Sequence, residues 1–194
     1  MNTAIQLDWK RRIIGVLPIS FFFVSSIDSI MAGKSGEILW LCTVCNATLG
    51  LGILFASPTT VWTSVLWIMI GTPLCIMDEW AQRIFHPIAF CTHILSSVIG
   101  YYALRWIPKR EQCVWGIGIL GLIFLQMASR CLTKSELNVN LSFAVYKPLE
   151  RIFGSYWIYW VLNLVVFSFL LNRLERKLEK LSLVRFPMAA RSAA

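Results

Sequence analysis

The sequence predicts an all-α fold: a polytopic bundle of about six helices that span a membrane. Its composition and its apolar stretches both point to this class. The 194-residue chain is 57% hydrophobic and only 14% charged, and its mean hydropathy is +0.66. A soluble domain carries about 25% charged residues, so this chain has too few charges to cover a water-soluble globule.

A spanning helix needs roughly 20 mostly apolar residues. The stretches that meet this requirement are Ile13–Ala32, Ile38–Ala56, Thr59–Met77, Pro87–Ile107, Cys113–Cys131 and Ser155–Asn172. The first follows a basic run at residues 10–12, as a signal peptide would, but its apolar run is too long and no clear cleavage site follows. We therefore predict that it is a retained helix.

Prolines and glycines set several predicted boundaries. Pro18 should kink the first helix, because proline cannot donate a backbone hydrogen bond. Gly71 and Pro73 are predicted to interrupt the end of the third helix. A tight turn is predicted around Ser57-Pro58-Thr59, and Pro87 is predicted to start a helix, since proline is favoured at the first helical position.

Basic residues predict the orientation. The net charge is +8, and the basic residues flank apolar stretches, which indicates a membrane protein and not a nucleic-acid-binding protein. With the N-terminus inside, twelve of the 18 lysines and arginines lie on the cytoplasmic side. The positive-inside rule then places both termini in the cytoplasm, and we predict a bacterial inner (plasma) membrane location.

The predicted domain organisation is a single transmembrane domain over residues 1–172 and a basic cytoplasmic tail over 173–194. The tail has leucines at helical spacing. It is predicted either to lie on anionic lipid as an amphipathic helix or to continue the last helix into solvent.

Polar residues gather in one half of the predicted bilayer. At 1.5 Å per residue, five of them lie roughly 6–12 Å from the outer helix ends: Asp28, Asn46, His93, Gln126 and Asn163. The others lie at the outer edge itself: Asp78, Glu79, His86 and Arg130. Polar groups inside lipid must find partners. They are predicted either to face one another around an outer pocket or to join helices by hydrogen bonds.

His93 is the central candidate, because a histidine can transfer protons near neutral pH. It is predicted to act as acid and base, with Asp78 or Glu79 as its electrostatic partner. A polar head group would be held by Asn46, Arg130, Asn138 and Asn140.

The sequence predicts no metal site and specifies no cofactor. His86 and His93 share a helix face but are roughly 10 Å apart along the axis, whereas zinc–nitrogen bonds are about 2.0–2.1 Å. A site that combines His93 with carboxylates from other helices stays an alternative. Phosphate-binding glycine loops and the HExxH and GxSxG motifs are absent from the sequence.

Cys42 and Cys45 have CxxC spacing. This spacing predicts either a redox pair or two small apolar residues on one helix face.

Several short motifs follow one another from the second helix onward. They are Cys45-Asn46, Ser57-Pro58, Asp78, Phe90-Cys91-Thr92-His93, Ser129-Arg130-Cys131-Leu132-Thr133 and Asn138-Val139-Asn140. In this pattern the chain resembles a family of uncharacterised bacterial integral membrane proteins with no known activity. The family usually has tryptophan three residues before the aspartate, where this chain has Cys75. The resemblance supports these residues as candidates for a site but implies no particular reaction.

The leading functional prediction is an intramembrane enzyme that acts on a lipid-soluble substrate, such as an isoprenoid or a phospholipid, in the outer half of the bilayer. The alternatives are a small transporter or permease and a noncatalytic accessory subunit of a membrane complex. The predicted partners are the lipid bilayer and a lipid-like substrate, with no nucleic acid.

Overall fold

A computed structural model describes residues 8–83, 86–107 and 113–185. These residues form helices and turns with no strand, which confirms the predicted all-α class. The α-helices are α1 (Trp9–Ile13), α2 (Val16–Met31), α3 (Leu41–Leu54), α4 (Pro58–Gln82), α5 (Pro87–Ala103), α6 (Val114–Leu132) and α7 (Tyr156–Arg185). Short 3₁₀ turns lie in the connections at Ser35–Leu39, Ser135–Leu137, Val139–Leu141 and Lys147–Leu149.

Four of the described helical stretches are long and apolar enough to cross a membrane. They are Trp9–Met31, Pro58–Ala81, Val114–Leu132 and Tyr156–Leu181. The remaining two of the six predicted spans correspond to α3 and α5, which have 14 and 17 residues. At 1.5 Å per residue these are roughly 21 and 25 Å long, less than a hydrocarbon core of about 30 Å.

Pro18 interrupts the first helix, as predicted. The chain turns at Ile14 and Gly15, between α1 and α2. Ile14 is the residue whose carbonyl oxygen Pro18 would bond if it had an N–H. Leu17 N donates to that oxygen at 3.1 Å instead, so the break lies one turn before the proline.

Pro73, in contrast, does not end its helix. The prediction that Gly71 and Pro73 interrupt the third span is wrong, since α4 runs through both residues to Gln82. A transmembrane helix tolerates proline when packed neighbours support it, and α4 packs against α3 and α5. Asp78 and Glu79 therefore lie inside the last two turns of α4.

Helix α4 is the centre of the bundle, because it contacts α3, α5, α6 and α7. Its two buried tryptophans reach neighbouring backbone carbonyls. Trp62 Nε1 donates to Ile107 O at 3.2 Å, and Trp67 Nε1 donates to Gly118 O at 3.1 Å. Large apolar side chains on the outward sides of α2, α6 and α7 are exposed, as expected of helices that face lipid.

The helices alternate in direction, so the bundle has two ends. We call the end with residues 33–40, 78–83, His86 and 133–154 the long-loop face. The other end, with α1, residues 104–107 and the end of α7, is the terminal face. The Arg11 guanidinium lies 5.7 Å from the Trp106 ring centre, which joins the first helix to the end of α5 on the terminal face.

Helix α7 continues through most of the predicted tail. Leu171, Glu175 and Leu178 are buried, so the segment after residue 172 packs against the bundle. The Glu175 carboxylate accepts from Val114 N at 3.3 Å and from Trp115 N at 2.6 Å, at the start of α6. Residues 173–185 are therefore helical and continue α7, and 186–194 lie outside the described residues.

Candidate functional site

His93 is buried in the second turn of α5, where its side chain is 8% exposed. Its Nδ1 lies 2.7 Å from Ala89 O, one turn earlier on the same helix. A carbonyl oxygen can only accept, so Nδ1 carries the proton, and in the neutral ring Nε2 is left as an acceptor. The backbone of α5 therefore fixes both the orientation and the tautomer of this imidazole.

Two thiols lie near the His93 ring, those of Cys42 on α3 and Cys75 on α4. Cys45 lies beside Cys42, and all of these cysteines are free. We call Cys42, Cys75 and His93 the thiol–histidine cluster. It collects one proton-accepting base and two nucleophiles from three helices.

Asn46 ties the helices of the cluster together. Its Nδ2 donates to Cys42 O at 3.0 Å, and its Oδ1 accepts a hydrogen bond from Ser96 Oγ. Ser96 is fully buried and Asn46 is 3% exposed, whereas Cys42 is half-buried. Asn46 thus positions α3 against α5 one turn below the cluster, and both ends of its amide are occupied.

Helices α4 and α5 are joined on the other side of His93. Thr72 and Ser97 share a hydroxyl hydrogen bond of 2.8 Å, and Thr72 Oγ1 lies 3.4 Å from His93 O. Thr72 precedes Cys75 by three residues, so both lie on the same face of α4. The cluster is therefore part of a continuous polar layer among α3, α4 and α5.

The two acidic candidates lie closer to the long-loop face. Asp78 accepts a hydrogen bond from the Tyr146 hydroxyl, and this bond raises the pKa of Tyr146 to about 12. Glu79 Oε1 is buried and has no hydrogen-bond partner among the described residues. Asp78 thus anchors the 133–154 loop to α4 through Tyr146.

Arg130 lies at the end of α6 among aromatic rings. Its Nε donates to Ser142 O at 2.5 Å. The guanidinium lies 5.1 Å from the ring centre of Tyr156 and 5.0 Å from that of Trp157. These contacts hold the cation at the long-loop face.

The side chains of the two loop asparagines, Asn138 and Asn140, form hydrogen bonds with backbone groups. Asn138 Oδ1 accepts from Phe143 N and Ala144 N, both at 3.0 Å. Asn140 Nδ2 donates to Leu39 O at 2.7 Å, and its Oδ1 accepts from Leu41 N at 2.8 Å. Asn140 therefore joins the 133–154 loop to the start of α3, next to Cys42.

The predicted site residues fall into two neighbourhoods. Asn46 and His93 share the polar layer of α3, α4 and α5. Arg130, Asn138 and Asn140 share the packing between α6 and the 133–154 loop. The Tyr146–Asp78 and Asn140–Leu41 hydrogen bonds connect the two neighbourhoods at the long-loop face.

The site residues that sequence reasoning missed are Cys75, Ser96 and Tyr146. Helical spacing offered a signal for two of them, because Cys75 precedes Asp78 by three residues and Ser96 follows His93 by three. Within the described residues, no group of three or more His, Cys, Asp or Glu side chains is placed to hold a metal ion.

Comparisons of the chain with protein-family models, with curated proteins and with solved structures give no match.

Proposed function

We propose that this protein is an integral membrane enzyme that acts on a lipid-soluble substrate in the half of the bilayer at the long-loop face, with His93 as the acid and base. The observation that carries the proposal is the buried His93 imidazole, held by Ala89 O at 2.7 Å, with Cys42 and Cys75 nearby. A base that is oriented by one group and lies near a nucleophile suits covalent and acid–base catalysis.

The surroundings of the cluster favour a substrate that arrives through lipid. Cys75 lies between Leu74 and Ile76, whose side chains are exposed on the outward side of α4. Cys91, on the turn of α5 before His93, is also exposed. Arg130 lies on the same face of the bundle and supplies a positive charge for an anionic or polar head group.

The experiment compares His93→Gln with His86→Gln, the chain's other histidine, which is exposed at the start of α5. Each purified protein is incubated in nanodiscs made from a bacterial polar lipid extract, and the lipids are measured by untargeted mass spectrometry. We expect wild type and His86→Gln to convert the same lipid-soluble species. His93→Gln should convert it at least about 100-fold more slowly, the usual loss of a general acid–base group.

Folding is checked by thermal unfolding in detergent, where the His93→Gln midpoint should stay within a few degrees of wild type. Equal conversion by His93→Gln and wild type would overturn the proposal, as would no conversion by wild type. The transporter alternative is tested with the same protein in liposomes of the same lipids. Substrate flux across the liposome membrane without any conversion would favour it.

A further inference from the structure

We propose that Arg130 binds the phosphate of a membrane phospholipid, whose acyl chains lie on the apolar surface of α6 and α7 below it. This inference rests on the proposed function for its setting, because it identifies the head group that Arg130 holds as a phosphate. Its test measures binding and not conversion, so the two proposals can fail separately.

The first support is the fixed position of the Arg130 guanidinium group. Its Nε donates to Ser142 O at 2.5 Å, and the Tyr156 hydroxyl donates to the same oxygen at 2.7 Å. The guanidinium also lies against the rings of Tyr156 and Trp157, and a cation over an aromatic face is attracted to the ring. The protein therefore holds the group through its Nε and its faces, and the two Nη atoms remain for a ligand.

The second support is the unpaired charge of Arg130. Within the described part of the chain, Arg130 makes no ion pair and its Nη atoms donate no hydrogen bond. Neither Nη atom is sealed inside the protein. A half-buried cation without a counter-ion favours an anionic ligand. A guanidinium binds phosphate through two parallel N–H···O bonds, which the unused Nη groups are free to donate.

The charges around Arg130 do not supply the missing anion. The stretch from Arg130 to Arg151 contains four basic and two acidic residues, a net charge of +2. Both acidic residues, Glu136 and Glu150, are exposed, and neither makes an ion pair with Arg130. This part of the long-loop face therefore attracts anions.

The third support is the apolar surface directly below Arg130. Met127 precedes Arg130 by three residues and Val161 follows Trp157 by four, so each pair shares a helix face. Met127, Trp157 and Val161 are 54%, 60% and 52% exposed. Helices α6 and α7 pack together, and Arg130 and Trp157 lie near the ends of their two apolar stretches. A cation above an exposed apolar surface matches a phospholipid, which has an anionic head and apolar chains.

The test uses purified full-length protein in mixed micelles that contain phosphatidylglycerol or, without a phosphate, diacylglycerol with the same acyl chains. The rise of the thermal unfolding midpoint with added lipid gives the apparent affinity. We expect wild type to bind phosphatidylglycerol at least about tenfold more tightly than diacylglycerol. Arg130→Gln should remove this preference, whereas Arg151→Gln, which removes an exposed arginine from the same face, should keep it.

A second measurement on wild type keeps the test decisive if Arg130→Gln does not fold. Phosphatidylglycerol that carries a diazirine in its acyl chain is activated by light, and peptide mapping locates the labelled residues. We expect labelling around Met127 and Val161 that unlabelled phosphatidylglycerol displaces and diacylglycerol does not. Labelling around Val98, which is 48% exposed on α5, should respond to neither competitor. Equal displacement at all three positions would overturn the inference.

Equal affinity of wild type for the two lipids would also overturn it, as would an equal loss in Arg130→Gln and Arg151→Gln. If inorganic phosphate alone stabilises wild type as strongly as phosphatidylglycerol, the ligand is the free anion and the inference is wrong. Lipid binding that depends on Arg130, without conversion of any lipid, would support this inference and overturn the proposed function. Conversion that depends on His93, without binding that depends on Arg130, would do the reverse.

Discussion

At the scale of single residues, the hydrogen bond from Tyr146 to Asp78 holds the 133–154 loop over the end of α4. Tyr146→Phe removes one hydrogen bond to a charged acceptor, so we expect the free energy of unfolding to fall by about 1.5–3 kcal/mol. The measurement is chemical unfolding in detergent. Tyr102→Phe, which changes an exposed ring on α5, is the control and should be nearly neutral.

This bond also has a predictable pH dependence. The folded protein raises the pKa of Tyr146 to about 12, whereas tyrosine in an unfolded chain titrates near 10. The folded state holds the proton more tightly, so the stabilisation is complete below about pH 10 and is lost as the pH rises towards 12. The difference between wild type and Tyr146→Phe should therefore be constant from pH 7 to 9. A difference that grows above pH 10 would contradict this assignment.

The residue scale also shows what sequence could predict of the site. Depth along a helix follows from residue number, so the burial of Asn46 and His93 in one layer was predictable. Residue number does not tell which neighbouring helix a side chain faces, because that depends on how the helices pack together. Asp78 was predicted as the electrostatic partner of His93 from depth alone, and in the structure it accepts a hydrogen bond from Tyr146.

At the scale of helices, Gly50 of α3 lies directly against the backbone of Gly15, so the two backbones pack closely. A Cβ atom at Gly50 would lie 2.4 Å from Gly15 O, whereas one at Gly71 would have nothing within 4 Å. Gly50→Ala should therefore destabilise the protein by about 1–3 kcal/mol, because the backbones must separate. Gly71→Ala, inside α4, should be neutral or stabilising. Thermal unfolding compares the two, and equal effects would exclude the packing explanation.

Glu175 makes a second contact between helices, where its carboxylate accepts the first N–H groups of α6. Glu175→Ala leaves these groups without that acceptor, and we expect a loss of about 1–3 kcal/mol. Glu175→Gln keeps one acceptor oxygen and should lose less. Lys177→Ala, exposed on the same stretch of α7, serves as the control. If Glu175→Ala and Lys177→Ala unfold at the same denaturant concentration, the carboxylate does not support α6.

Helix lengths show where local sequence patterns stop being informative. The apolar run that predicted a span from residue 38 includes residues of the Ser35–Leu39 turn. This turn is held by Asn140, whose Nδ2 bonds Leu39 O across 101 positions of sequence. A contact of that separation has no local signal, so the shortening of α3 could not be predicted. The approximate positions of the other helices followed from the apolar stretches, but the ends of α4 and α7 did not.

At the scale of the whole molecule, the two faces carry different amounts of basic charge. The long-loop face holds six of the 18 lysines and arginines, at positions 34, 83, 130, 134, 147 and 151. The terminal face holds the basic residues of α1, Arg105 and the end of α7. Since cytoplasmic loops are enriched in lysine and arginine, we predict that the terminal face is cytoplasmic.

Labelling of introduced cysteines measures this orientation. Lys134→Cys lies on the long-loop face and Lys177→Cys near the terminal face, both at exposed positions, in a background with Cys91, Cys113 and Cys131 changed to serine. A membrane-impermeant maleimide should label Lys134→Cys in intact spheroplasts, and Lys177→Cys only after permeabilisation. The reverse pattern would put the thiol–histidine cluster near the cytoplasm. Its substrate would then have to come from the inner leaflet.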